Sequence, residues 1–309
     1  MFEELERYKS LDFFARQVVE GFITGLHKSP FHGFSVEFSE HRQYNSGEST
    51  RNIDWKLYGR TDKLFVKTFE EETNLRCQLV IDQSGSMLFP TEGQGDIKNP
   101  NKLTFSVYAA AALTEMLLRQ RDAFGLTLFS NGIDLQTPAR SSRTHQQYLY
   151  SLLEPLLKPV KPDQANRPTQ SVAETLHLTA EQLHRRSMVI IFTDAFVATE
   201  RDRDELFDAM RHLRHCKHEV LLFHTFDYAH EIDFDFSNRP YLFIDLETGQ
   251  RLKVQPNEVA ESYKTEMHRQ QAELKQRAIQ YNIDYQPVDV GLGFDQILMP
   301  FLIKRQRET

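Results

Sequence analysis

Leu79-Val-Ile-Asp-Gln-Ser-Gly-Ser-Met87 begins as an apolar run and ends on three oxygen-bearing side chains, Asp82, Ser84 and Ser86. A run this short and this apolar reads as a buried strand. The aspartate and the two serines stand at alternate positions, and Gly85 closes the turn, so one carboxylate and two hydroxyls converge beyond the strand's carboxyl end. Oxygen donors of this kind suit a hard divalent cation.

Around this stretch, short apolar runs alternate with longer helical patterns. Strands are expected at 77–82, 124–130, 187–193 and 218–224, and helices at 102–119, 143–157, 170–185 and 201–215. That alternation implies βα units around a largely parallel sheet flanked by helices, an α/β fold. Ligands in such sheets gather beyond the carboxyl ends of the strands, which is where Asp82 falls. Further on, Tyr241-Leu-Phe-Ile-Asp-Leu and Arg251-Leu-Lys-Val flank Glu247-Thr-Gly and read as a β insertion near 240–255. A helix then starts near Pro256, a last strand is expected at 283–288 and a closing helix at 293–304.

The amino-terminal part reads differently. Residues 3–27 carry Leu5, Phe14, Val18, Phe22 and Leu26 near helical spacing, an amphipathic leader helix. From about 33 to 75, short alternating runs such as Phe34-Ser-Val-Glu-Phe are broken by Asn45-Ser-Gly and Gly59. The expected organisation is a smaller β-rich subdomain with its leader helix over 1–75, then an α/β domain over 76–309.

Composition narrows the functional classes. A net charge of -7 argues against a dedicated nucleic-acid binder, which usually presents a basic surface. Two cysteines, Cys77 and Cys216, are too few for a disulfide framework and suit a reducing compartment. The start Met1-Phe-Glu-Glu-Leu-Glu-Arg lacks the features of a signal peptide, and no stretch approaches the roughly 18 apolar residues of a membrane span. A cytoplasmic protein is expected.

Three residues do not complete a magnesium-sized site, which takes six oxygens and keeps some waters. Ile190-Ile-Phe-Thr-Asp194 is a second buried-strand run ending on an acid, so Asp194 should project from the same sheet edge as Asp82. Between them, the polar loop Asn166-Arg-Pro-Thr-Gln-Ser171 offers the hydroxyl of Thr169 or, in the same loop, that of Ser171.

The set Asp82, Ser84, Ser86, Thr169 and Asp194 resembles the metal-ion-dependent adhesion site of von Willebrand factor A domains. The resemblance implies a Rossmann-type fold and a bound Mg2+, or Mn2+ or Ca2+. The serines and threonine would bind the ion directly or through water, the aspartates largely through water, and a partner's carboxylate would fill the open position. The run Arg51-Asn-Ile-Asp-Trp-Lys-Leu-Tyr-Gly-Arg-Thr-Asp-Lys-Leu-Phe-Val-Lys-Thr-Phe-Glu-Glu-Glu72, with the strand before it, resembles the signature of the domain of unknown function 58 family. That resemblance extends from about Leu26 to Val288. It implies a von Willebrand factor A-like domain after the signature and a link to MoxR-type AAA+ ATPases, beside which members of that family are often encoded.

Blander readings compete at several positions. Asp82, Ser84 and Ser86 could simply cap the next helix. Trp55 among Asp54, Lys56, Tyr58 and Arg60 could mark nucleic-acid binding or a partner surface, but reads first as a packed aromatic, with Asp54 paired to Arg51 or Arg60. His212, His215, His218 and Cys216 read as a solvated helix face rather than a zinc group. Gly291-Leu-Gly-Phe reads as a turn, and the acidic run Asp227 to Asp235 as an exposed loop.

The site offers oxygen ligands but no evident nucleophile–base pair. The expectation is therefore a non-enzymatic protein-binding module that engages an acidic residue of a partner through a divalent cation. By the resemblance, that partner would be a MoxR-type AAA+ ATPase or its client, and the role complex assembly or maturation. The alternative is a magnesium-dependent phosphoester hydrolase; a haloacid-dehalogenase-like enzyme would need a second acid where Ser84 stands. A scaffold binding no metal is a third possibility.

Overall fold

In the computed structural model, the described residues are 10–28, 41–43, 59–60, 65–67, 75–91, 96–130, 132–158, 172–195, 200–246 and 249–306. The chain runs α1 (Leu11–Lys28), β1 (His41–Gln43), β2 (Phe65–Lys67), β3 (Arg76–Asp82), α2 (Lys102–Arg119), β4 (Ala123–Phe129) and β5 (Ile133–Gln136). It continues through α3 (Arg143–Leu153), α4 (Val172–Gln182), β6 (Met188–Thr193), α5 (Glu200–His215), β7 (Glu219–Phe226), β8 (Tyr241–Ile244), β9 (Arg251–Val254), α6 (Pro256–Gln280), β10 (Asp284–Asp289) and α7 (Asp295–Gln306). Two compact units result, Ile23–Asn74 and the remainder, Met1–Phe22 with Leu75–Thr309. In the smaller unit β1 and β2 pair antiparallel, His41 opposite Lys67.

The larger unit is a mixed α/β structure whose six-stranded sheet has the order β10-β7-β6-β3-β4-β5. All pairings are parallel except β4 with β5. The apolar runs of β3, β4, β6 and β7 are buried along almost their whole length, as expected for strands covered on both faces. Chain order explains where a site can open. From β3 the chain winds outward through β4 and β5, then returns to β6 on the other side of β3 and winds the opposite way. The direction reverses between β3 and β6, and their carboxyl ends border the crevice that such a reversal leaves.

Alternate side chains of the strands serve the two faces. Val80, Val189, Ile191 and Leu222 join Leu176, Leu206, Phe207, Met210 and Leu274 in one core beneath α4, α5 and α6. Phe192 and Phe223, opposite each other in register, stack at 5.1 Å on the other face. There α2, buried over most of its length from Lys102 to Leu117, runs behind the sheet. Phe105 of α2 stacks on Phe294, and Phe14 of α1 packs edge-on against Phe294 and Tyr108. Burial of side chains of this size stabilises by about 1.5–3 kcal/mol each.

Several expectations need correction. β5 adds an edge that the sequence did not mark, because Ile133-Asp-Leu-Gln136 is only four residues and partly exposed. The helix expected over 143–157 leaves α geometry at Leu153 and finishes as a 3₁₀ turn, Glu154–Leu157, where Pro155 lacks the N–H needed to continue. His218 is fully buried rather than on a solvated face: its Nδ1 accepts from Ser187 N and its Nε2 bonds Ala180 O, each at 3.3 Å. Within the acidic run expected as an exposed loop, Tyr228–Ile232 is a π-helical turn with Ile232 buried. β8 and β9 form the expected hairpin. Trp55 lies outside the described residues. No helix among the described residues is long and apolar enough to cross a membrane.

Candidate metal centre

Asp82 is the last residue of β3, and the chain turns at once into the 3₁₀ segment Gly85–Leu88. Met87 and Leu88 are buried and pin that turn, while Gln83 faces away to bond Asp134 at 2.7 Å. The carboxylate of Asp82 is 1% exposed and held at both oxygens: Oδ1 accepts the Ser84 N–H at 2.9 Å and Oδ2 accepts the Thr193 hydroxyl at 2.7 Å. The hydroxyls of Ser84 and Ser86 lie 3.1 Å apart. Ser84 makes no capping bond to the turn it precedes, so capping does not account for its hydroxyl.

Thr193 ends β6, and Asp194 follows it, buried, at the neighbouring strand end. Burial raises the Asp82 carboxyl to about 7, and the charge of Asp194 adds to the rise against the bonds from Thr193 and Ser84. Two carboxylates are thus crowded where a cation would relieve both.

The structure also brings in residues that sequence reasoning did not select. Lys102, the first residue of α2, is 1% exposed. Its Nζ donates to Asp194 Oδ2 at 2.9 Å and to Glu231 Oε1 at 2.6 Å. Burial by itself would lower the Lys102 pKa, but the two carboxylates outweigh it and the ammonium is held above its ordinary range. Glu231 sits on the π-helical turn, with Oε2 accepting Asp227 N at 2.8 Å; burial raises its carboxyl and Lys102 opposes the rise. His224 on β7 reaches the carbonyl of Asp194 through Nε2 at 2.9 Å and the Tyr285 hydroxyl through Nδ1 at 2.8 Å. A carbonyl can only accept, so Nε2 carries the proton and Nδ1 accepts from the tyrosine. Burial lowers this imidazole to about 4, keeping it neutral.

Lys102 did carry one sequence signal. A lysine in the first turn of a helix opposes the helix dipole and so asks for a carboxylate nearby. Glu231, within the acidic run, carried none that set it apart from its neighbours. Thr169 and Ser171 lie outside the described residues. Among the described residues no group of three or more His, Cys, Asp or Glu side chains is placed to hold a metal, so any ion here must rely on hydroxyl oxygens as well.

Comparison with known proteins finds similarity in sequence and in structure. An uncharacterized protein of Mycobacterium bovis and one of Mycobacterium tuberculosis are each 25% identical to this chain over 221 residues, 71% of its length. The chain spans 64% of the length of those relatives. Among solved structures, the conserved hypothetical protein BatB from Bacteroides thetaiotaomicron superposes with a TM-score of 0.48 at 15% identity, over 76% of this chain and 100% of that one. An aerotolerance-related membrane protein from Bacteroides fragilis gives 0.46 at 15% identity, over 75% and 99%. Residues 40–273 match the family described as "Protein of unknown function DUF58", and the chain belongs to that family.

Proposed function

We propose that this chain is a protein-binding module of von Willebrand factor A type, in which a divalent cation joins it to an acidic side chain of a partner protein. The observation that carries this reading is the crowding of oxygen donors at the adjoining ends of β3 and β6, where the Asp82 carboxyl is raised to about 7 by burial and by Asp194. Asp82, Ser84 and Ser86 would hold the ion, with Asp194 beside them and the loop hydroxyl of Thr169 or Ser171 as a further donor. Mg2+ fits this hydroxyl-rich set, with Mn2+ and Ca2+ as alternatives. When bound, the ion supplies an open coordination position that a carboxylate from outside can fill.

The chain's own residues do the orienting. Thr193 and the Ser84 N–H fix the Asp82 carboxylate, and the paired serine hydroxyls present their oxygens side by side. The His224 imidazole has both nitrogens engaged, which favours binding over acid–base chemistry. The family resemblance supports a MoxR-type AAA+ ATPase as the partner and a role in complex assembly or maturation, and the chain's two cysteines, too few for a disulfide framework, support a cytoplasmic location.

Two measurements test the reading. Mg2+ or Mn2+ should raise the melting temperature by mass action, and Asp82→Ala should abolish the rise. Retention by an immobilised MoxR-type ATPase should require Mg2+ and one acidic residue of that ATPase. Equal retention in chelator would remove the ion from the mechanism, and metal-dependent phosphoester turnover lost in Asp82→Ala would replace binding by hydrolysis.

A further inference from the structure

The ammonium of Lys102 sits on the same carboxylate that the cation site needs. Its position is fixed from several sides. The Lys102 N–H donates to Phe89 O at 3.0 Å, and the Asn101 side chain caps the helix by accepting Thr104 N at 2.7 Å. The stem is buried, and Glu231 takes a second ammonium proton while anchored to Asp227 N. A solvated lysine would spend its charge on water; this one spends it on Asp194 and Glu231.

From this geometry we infer that Lys102 is an internal cation that withholds one oxygen of Asp194 from the external ion and thereby tunes the site toward magnesium over calcium. The inference rests on the proposed cation site and concerns its selectivity. With Oδ2 engaged by Nζ at 2.9 Å, Asp194 has at most Oδ1 to offer, so two-oxygen chelation by this carboxylate is closed. Ca2+ takes 6–8 oxygens and commonly uses bidentate carboxylates, whereas Mg2+ takes six, keeps waters and is content with single oxygens. Glu231 is then a positioning residue, since it seats the ammonium while its other oxygen is held by Asp227 N.

The test compares Ca2+ and Mg2+ affinities, by calorimetric titration, of the wild type with those of the double variant Lys102→Met/Glu231→Gln. Loss of the ammonium's charge acts on both divalent ions alike, so equal gains for Ca2+ and Mg2+ would mark a purely electrostatic role of Lys102 and overturn the inference. The inference predicts Ca2+ binding tighter by about tenfold or more, with Mg2+ gaining less. As a variant that keeps the charge and the buried stem, Lys102→Arg places a two-pronged donor against Asp194 and should weaken Ca2+ binding further. A folded double variant with Ca2+ affinity equal to or below wild type, or Lys102→Arg with unchanged Ca2+ affinity, overturns the inference and leaves the cation site standing, provided the wild type binds Mg2+. Binding of neither ion to any of the three proteins overturns the cation site and the inference together. Binding by the double variant alone overturns the inference as well, because a wild type that holds neither ion has no preference for Lys102 to set.

Discussion

Thr193 donates its hydroxyl to Asp82 at 2.7 Å and, through the same oxygen, accepts the Ala195 N–H at 3.0 Å. One side chain at the end of β6 thus orients the carboxylate at the end of β3 and shapes the turn that carries Asp194. The sheet already joins the two strands in register, Ile81 opposite Phe192, so this bond extends the pairing by one side-chain link.

Replacing that hydroxyl by a methyl group tests the link. Thr193→Val keeps the shape but leaves buried Asp82 short of a donor and Ala195 N–H short of an acceptor. Urea unfolding should show a loss of about 1–3 kcal/mol, and Thr193→Ser should recover most of it. A loss in Thr193→Ser as large as in Thr193→Val would locate the effect in packing rather than in the hydrogen bonds.

Removing Lys102 should be costly in its own right. Lys102→Met takes the shared ammonium from Asp194 and Glu231, and breaking a buried pair in this way costs about 3–5 kcal/mol. Adding Glu231→Gln removes one of the two stranded charges, so the double variant should be more stable than Lys102→Met alone. The opposite order in urea melts would mean that Glu231 does not seat the lysine.

His224 makes a pH-dependent prediction. Above pH 6.5 the imidazole is neutral in both states; below it the unfolded chain takes a proton that the folded chain refuses until about pH 4, so this residue lowers stability as the medium acidifies. Asp82 runs the other way. Raised to about 7 from 3.8, it binds its proton first in the folded state and favours folding as pH falls through that window. The total curve therefore mixes opposed effects, and a difference isolates the histidine. His224→Gln should be destabilised relative to wild type at pH 8, and the gap should narrow by up to roughly 3 kcal/mol by pH 4.5. A gap independent of pH would mean that the buried imidazole charges in the folded protein.

Gly125 on β4 offers a test of sheet packing away from the site. A Cβ there would come within 2.4 Å of Gln78 Oε1 and 2.8 Å of Thr137 O. Gln78 is itself buried and bonded to the Thr127 hydroxyl at 2.9 Å, so it cannot simply swing away. Gly125→Ala should cost about 1–3 kcal/mol by overpacking. A melting temperature equal to wild type would show that Gln78 has another resting place.

The part of this protein legible in its sequence is the part governed by local pattern. Leu79-Val-Ile and Val189-Ile-Ile-Phe are apolar enough to demand burial on both faces, and a polar residue at the end of such a run must stand at the sheet's edge. Strand ends, helix starts and the β8–β9 hairpin follow from periodicity and turn chemistry of a few residues' reach. Local pattern alone therefore assigns Asp82, Ser84, Ser86 and Asp194 to one edge. β5 escaped because four partly exposed residues make too little pattern. The surroundings of the carboxylates, by contrast, are settled by tertiary contacts. Lys102 and Glu231 are 129 residues apart, and nothing in either neighbourhood names the other. His218 and His224 likewise sit in strands or beside them with no local sign of the acceptors they find. A buried charge is tolerable only when a partner arrives from elsewhere in the chain, and which partner arrives is fixed by the order of strands in the sheet rather than by the spacing of residues along it.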